Sequence, residues 1–261
     1  MTEPTPYLPK KTQRRRAKSG GLYGEVVDRV GEDIVTGKIS AGSIVYADQI
    51  SQSLGVSRSV VRESMRTLES MGLVEARPQV GTRVLGSEYW DLLNPRVVSW
   101  RAKGNDYLVQ QRELLELRLG LEATAAKLAA ERISDDRADL LVSLAHQMND
   151  ALVAADPGAY FDADADFHRV LVEESGNAVI SRFGDIIEAV LEARSTDNRP
   201  EMSRIVGESV RRHIALAEAV RSRDPELAEK CAYDIVEETL HEFEPVTTPD
   251  QPRNMPAPVP E

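Results

Sequence analysis

Asp164 and His168 stand four residues apart, a spacing that on a helix turns both side chains to one face, where a carboxylate oxygen and an imidazole nitrogen can bite the same divalent ion. On its own such a pair is common and is usually a hydrogen-bonded couple, so its type and spacing do not establish a metal site. Phe161 and Leu171 flank it at helical spacing and mark the face as buried. Further upstream Leu114, Leu121, Ala125 and Leu128 form an apolar stripe in which Arg118 occupies the missing place. A guanidinium on a core face needs an anionic partner, because burying it alone is costly. Glu122 or a neighbour supplies that partner as a structural ion pair, or a bound carboxylate does. A second kind of chemistry lies nearer the N-terminus, where Arg58, Ser59 and Arg62 share one helix face and can reach guanine edges in a major groove.

The elements that must position these groups differ between the two halves. From 107 to 243 the periodicity predicts only helices, at about 107–132, 135–154, 158–175, 178–195, 201–223 and 225–243, each interrupted by Gly, Pro or a polar cluster. Six such helices make an all-α bundle. Asn177, in Ser175-Gly176-Asn177, reads as a helix C-cap. In the N-terminal half a helix from Leu22 to about Thr36 carries Val26, Val30 and Ile34 in one stripe and stops at Gly37. Gln49 to Leu54 makes a short helix, Gly55 and Val56 a tight turn, and Ser57 the N-cap of the next helix, whose Val61, Met65 and Leu68 face a core. Residues 73–76 and 82–85 are short strands joined by a tip at 77–81. Together these form a winged helix-turn-helix, and the fold class is mainly α.

The formal net charge is −11 over 261 residues, which is wrong for a nucleic-acid binder until it is divided along the chain. Lys10 to Gly86 holds 13 basic and 8 acidic residues, about +5, so the remainder carries about −16. Residues 1–20 hold three prolines and the run Lys10-Lys11-Thr12-Gln13-Arg14-Arg15-Arg16-Ala17-Lys18, which predicts a disordered basic arm, either solvated or lying along phosphates. Residues 87–106 form a connector with both tryptophans, Trp90 and Trp100, which are expected to bury against the domains rather than bind a ligand. Residues 245–261 are expected to be a disordered Pro-rich tail. No apolar stretch approaches the roughly 18 residues of a membrane span, and no signal-peptide core is visible, so a cytoplasmic protein is expected. The lone Cys231 excludes an intramolecular disulfide framework and reads as a small core residue.

The stretch LGVSRSVVRESMRTLESMGLVEARPQVGTRV resembles the winged helix of GntR-type bacterial transcription regulators. That resemblance places Ser57, Arg58, Ser59, Val60 and Arg62 on the DNA-facing side of the recognition helix, makes Gly81 the wing glycine and puts Arg83 in the wing. Asp48 departs from the pattern, standing where some members carry a base-contacting arginine, and Gln79 and Arg83 replace the usual wing glycine and aromatic residue. Residues 107–243, with ELRLGLEATAAKLAAERIS, FDADADFHRVLVEESGN and RRHIALAEAVRSRDPELAEKC, resemble the FCD effector-binding domain of the FadR subfamily. By that resemblance Arg118 meets the effector's acid group, and Asp164, His168 and His213 hold a divalent metal such as Zn, Ni or Mn. The fourth family ligand position falls on Ile235, which cannot ligate, and Glu238 one turn on is the substitute that helix geometry offers. Without a metal the same polar residues would bond the effector directly.

The chain thus reads as a homodimeric transcription repressor that binds an inverted-repeat duplex and is released by a small hydroxy or sugar acid, such as a gluconate- or galactonate-like effector. The domains expected are 21–86 for DNA and 107–244 for effector binding and dimerisation. The competing class is a metal-dependent enzyme using Asp164, His168 and His213; no nucleophile elbow or phosphate loop supports it, and it leaves the winged helix unexplained.

Overall fold

The computed structural model describes residues 21–194 and 207–241, and the expected arm at 1–20, the start of the helix expected at 201–223 and the tail at 245–261 lie outside the described residues. The chain forms two compact units that divide between Asp106 and Tyr107.

In the first unit α1 (Gly21–Val35), α2 (Ala47–Leu54) and α3 (Arg58–Ser70) enclose a core of Val26, Val30, Ile50, Val61 and Leu68, all fully buried. Gly55 adopts φ +66, a left-handed conformation that ends α2 at no steric expense and turns the chain into α3. The Ser57 hydroxyl then accepts a hydrogen bond from Val60 N at 3.3 Å, the N-cap that its sequence position predicts. Three antiparallel strands follow the order β1-β3-β2, with β1 (Ile44–Val45), β2 (Val74–Arg77) and β3 (Gly81–Val84). Val74 opposes Val84 and Val45 opposes Thr82, so the buried valines of all three strands close the core under the helices. The two-residue β1 is too short to show a period and was not expected.

The connector does not hang free of this unit. Asn94 caps and Pro95 starts a helix, α4 (Pro95–Arg101), whose Val97 and Trp100 belong to the same core as α1. A Cβ at Gly31 would stand 2.4 Å from two carbons of the Trp100 ring, so the absent side chain is what lets the indole lie on α1. Trp90 is half-buried against that core, with its Nε1 donating to Leu85 O at 3.4 Å.

The second unit is helical throughout its described residues: α5 (Tyr107–Arg132), α6 (Asp135–Val153), α7 (Pro157–Glu174), α8 (Gly184–Arg194), α9 (Gly207–Arg221) and α10 (Pro225–His241). The start of α7 is fixed by Asp156, which accepts from Ala159 N, and by Pro157 in its first turn; Asp224 and Pro225 start α10 in the same way. Phe167, Leu171, Leu141 and Leu216 fill the centre among α6, α7 and α9. Two details differ from expectation. The segment at 178–195 opens with a 3-10 turn over Ile180–Phe183 before α8 begins. Asn177 is not the C-cap: Ser175 and Gly176, the latter at φ +64, end α7, and the Asn177 carboxamide accepts from Val179 N and Ile180 N to start the following turn.

Candidate functional site

The DNA-facing candidates lie together on the first unit. Ser57, Arg58, Ser59 and Arg62 are exposed at the start of α3, and Ser57 and Ser59 hydroxyls are 2.9 Å apart. Val60 is half-buried against the core, so its side chain is shared between packing and the exposed face. Asp48 reaches across from α2 to Arg58, Oδ1 to Nε at 2.8 Å, and Glu63 holds Arg66 at 2.6 Å. Arg62 has no ion pair among the described residues. In the wing, Gly81 has φ +122, and a Cβ there would meet Ile44 at 2.8 Å; its role is to let β3 pass close to β1. Gln79 adopts φ +65 at the tip, the conformation for which a glycine is favoured, and Arg83 is exposed on β3 opposite Glu75.

In the second unit α5, α7 and α9 bring Arg118, Asp164, His168 and His213 into one buried cluster. Asp164 Oδ1 lies 3.4 Å from His168 Nε2 and 3.2 Å from His213 Nε2, and the two Nε2 atoms are 3.3 Å apart. One ligand atom from each residue lies within 4.8 Å of the others. The outer nitrogens are already committed: His213 Nδ1 is 2.8 Å from the carbonyl of Ser209, so it donates, and His168 Nδ1 is 2.6 Å from Glu122 Oε2, where it must carry the proton. Both Nε2 lone pairs therefore face each other and a carboxylate oxygen, three acceptors with no donor between them unless a proton or a cation sits there. That is the donor set and the tautomer pattern a divalent ion requires, with Glu122 and the Ser209 carbonyl as the outer supports.

In the sequence Glu122 is visible only as a partner for Arg118. It is fully buried and serves two cations, Oε1 taking Arg118 Nε and Oε2 taking His168. Burial by itself would raise its carboxyl, but Arg118 and His168 hold it down at about 2. Burial opposes the charged imidazole of His168, yet Glu122 and Asp164 raise it to about 9. Asp164 resists burial in the same way and is held well below the usual carboxylate range by hydrogen bonds from the two histidines. The buried face of α5 keeps Leu114, Arg118 and Ala125 of the expected stripe but leaves Leu121 and Leu128 half-buried, and it extends to Leu115, Glu122 and Ala129, which are fully inside.

A cavity of about 40 Å³ opens on this cluster, lined by Arg118, Asp164, His168 and His213 together with the hydroxyl-bearing Tyr160, Ser209 and Thr239. Arg194, which sequence reading did not single out, also lines it, with its guanidinium 5.9 Å from the centre of the Phe161 ring. Ile235 is a wall of the cavity and supplies no ligand atom. Glu238 does not replace it: its carboxylate is exposed and turns to Arg212 at 3.4 Å, away from the histidines. The metal-competent set at this cluster is three residues. Among the described residues no helix is long and apolar enough to cross a membrane.

Comparison with known proteins places both units. Residues 22–84 match the bacterial regulatory proteins of the gntR family, and residues 113–238 match the FCD domain. The HTH-type transcriptional regulator Mce2R of Mycobacterium tuberculosis (strain CDC 1551 / Oshkosh) is 30% identical over 82% of this chain and 88% of its own length. The galactonate operon transcriptional repressor of Escherichia coli (strain K12) is 26% identical over 85% of this chain and 96% of its own. Among solved structures, that of Lar, which controls the expression of the Listeria monocytogenes agr system, superposes with a TM-score of 0.57 at 20% identity, covering 88% of this chain and all of that one; the likeness is one of fold.

Proposed function

The chain belongs to the GntR family of bacterial regulatory proteins and carries an FCD domain, and on that premise we propose that it is a homodimeric repressor released from an inverted-repeat operator by a small hydroxy or sugar acid. As a member of that family it is a DNA-binding transcription regulator and not the metal-assisted enzyme that the Asp and His cluster also admitted. The observation that carries the effector reading is a buried guanidinium and a three-residue metal-competent set lining one cavity in the same helical body. Relatedness to a galactonate operon repressor supports an acid bearing hydroxyl groups.

In this reading Arg118 takes the effector's carboxylate with the guanidinium edge that Glu122 leaves available, and Tyr160, Ser209 and Thr239 meet its hydroxyls. Asp164, His168 and His213 would hold a divalent ion, Zn, Ni or Mn, which when bound supplies Lewis-acid charge toward an anion. Ring orientation is the protein's contribution: Glu122 and the Ser209 carbonyl hold the two Nδ1 atoms, which leaves both Nε2 atoms aimed inward, where an ion would take the place of their protons. Two-fold symmetry is proposed because one recognition helix reads only a few base pairs and two half-sites double the site.

Thermal melting of the full chain with a panel of hydroxy, sugar and plain carboxylic acids tests this directly. An acid at about 100 times its dissociation constant should stabilise the folded chain by about 2.7 kcal/mol and release it from operator duplex in a mobility-shift assay. If no acid in the panel shifts melting or release, the effector reading is wrong.

A further inference from the structure

The ion pair between Asp48 on α2 and Arg58 on α3 has no evident role in the fold. The side chains are 59% and 73% exposed, and an exposed pair adds little to stability. Asp48 also stands on a face that presents Arg58, Ser59 and Arg62, where a carboxylate opposes the approach of a phosphate backbone. Its chemistry makes sense in relation to the atom it holds. The closest approach is Oδ1 to Nε at 2.8 Å, so the carboxylate lies at the Nε side of the guanidinium, while the donors at its end are the ones that fit O6 and N7 of a guanine. A guanidinium tethered at Nε keeps its plane and reach fixed, so it loses less freedom on docking than a free arginine does. Arg62, with no ion pair among the described residues, has no such tether.

We propose that Asp48 is a positioning residue for sequence reading: it presents Arg58 edge-on to one guanine in each half-site, so that preference at that base pair belongs to the Asp48–Arg58 couple. The inference rests on the DNA-reading role of α3 given above. It has a signature that neither a structural nor a purely electrostatic role shares. Removing the carboxylate takes a negative charge off the DNA face, so affinity for random duplex rises while discrimination at one base pair falls. A fold defect lowers both, and a mere charge effect raises affinity for every duplex alike.

The test uses the full chain and a pool of duplexes with a randomised core, followed by competition between the enriched sequence and its single-base variants. Arg58→Ala marks the base pair that Arg58 reads. Asp48→Ala is expected to lose about tenfold of discrimination at that same base pair, to keep its preferences elsewhere, and to bind random duplex more tightly. Asp48→Asn, which keeps an oxygen for Nε, retains part of the preference, and Asp48→Ala adds no further loss in an Arg58→Ala background. A parent chain that enriches a sequence, alongside an Asp48→Ala chain with the same preference at the Arg58 position, overturns the inference alone. A parent chain that enriches nothing overturns the reading of α3 and the inference with it.

Discussion

Glu122 carries two obligations with one carboxylate, one to Arg118 and one to His168. Glu122→Gln keeps the shape but leaves the buried Arg118 and His168 without their shared anion, a change of the kind that costs about 3–5 kcal/mol. Because the carboxylate also fixes the His168 ring, divalent-metal affinity should fall about 10–100-fold, read by titration against a competing chelator. Unchanged affinity would mean that something else orients the ring. The same groups set a pH dependence in chelator-stripped protein. His168 is raised from 6.5 to about 9, so its stabilising contribution is complete below 6.5 and is lost as pH climbs through about 9. Glu122 is lowered from 4.5 to about 2, so its contribution is complete above 4.5 and is lost as pH falls toward about 2. Melting temperature should therefore fall between pH 6.5 and 9, and more weakly in His168→Ala protein; a rise over that interval would contradict the assignment.

At the scale of elements, what local chemistry encodes was legible and what distant packing decides was not. The first-turn proline after an aspartate at Asp156-Pro157 and Asp224-Pro225 announces two helix starts, and all six helices of the effector domain stand close to where their periodicity put them in the described residues. Ser57 and Gly55 announce the turn between α2 and α3 equally well. Asp164 and His168 were legible as a pair because their partnership is one helical turn long, whereas Glu122 was not read as a bridge, because its second partner sits on another helix. Burial of Trp100 is expected from the sequence, but its seat on α1 is hidden for a similar reason: Gly31 carries no hydrophobic signal, and its value lies in the ring of Trp100 that its missing side chain admits. Gly31→Ala should lower the stability of the DNA-binding unit by about 1–3 kcal/mol, despite alanine's better helix propensity, since the new methyl would overlap the buried indole of Trp100 and force it to shift. Denaturation followed by tryptophan fluorescence would show it. At the wing tip the sign reverses. Gln79 sits at φ +65, so Gln79→Gly should be neutral or stabilising by up to about 1 kcal/mol, and a clear loss of stability would mean that the side chain is held by contacts that offset the backbone strain.

At the scale of the whole molecule, a regulator needs its two units to exchange free energy, and in the proposed function Arg118 is the residue at which that exchange would be interrupted. It lies on α5, whose first residue, Tyr107, follows directly on the unit that reads DNA. An acid that engages Arg118 on α5 together with the cluster on α7 and α9 adds a tie to three helices that already meet through Glu122 and His168, Asp164 and His213, Tyr160 and Ser209, and side-chain packing. Shifts of about 1–2 Å suffice in such bodies, and because half-site spacing in a duplex is fixed, a small change in the separation of two recognition helices is read as lost affinity. Couplings of this kind amount to about 1–3 kcal/mol, and by linkage the operator must weaken acid binding by the same factor. Arg118→Ala should leave operator affinity without acid nearly intact and abolish release by the acid. Truncation also strips Glu122 of a buried partner, so Arg118→Lys is the sharper probe: the ammonium keeps a charge beside Glu122 but lacks the planar fork that meets a carboxylate on two bonds. The lysine chain is expected to melt close to the parent, to hold its operator as tightly, and to need at least about tenfold more acid for release. Release of Arg118→Lys and Arg118→Ala proteins at the parent's acid concentration would remove Arg118 from the coupling and leave the Glu122 ion pair as its only role.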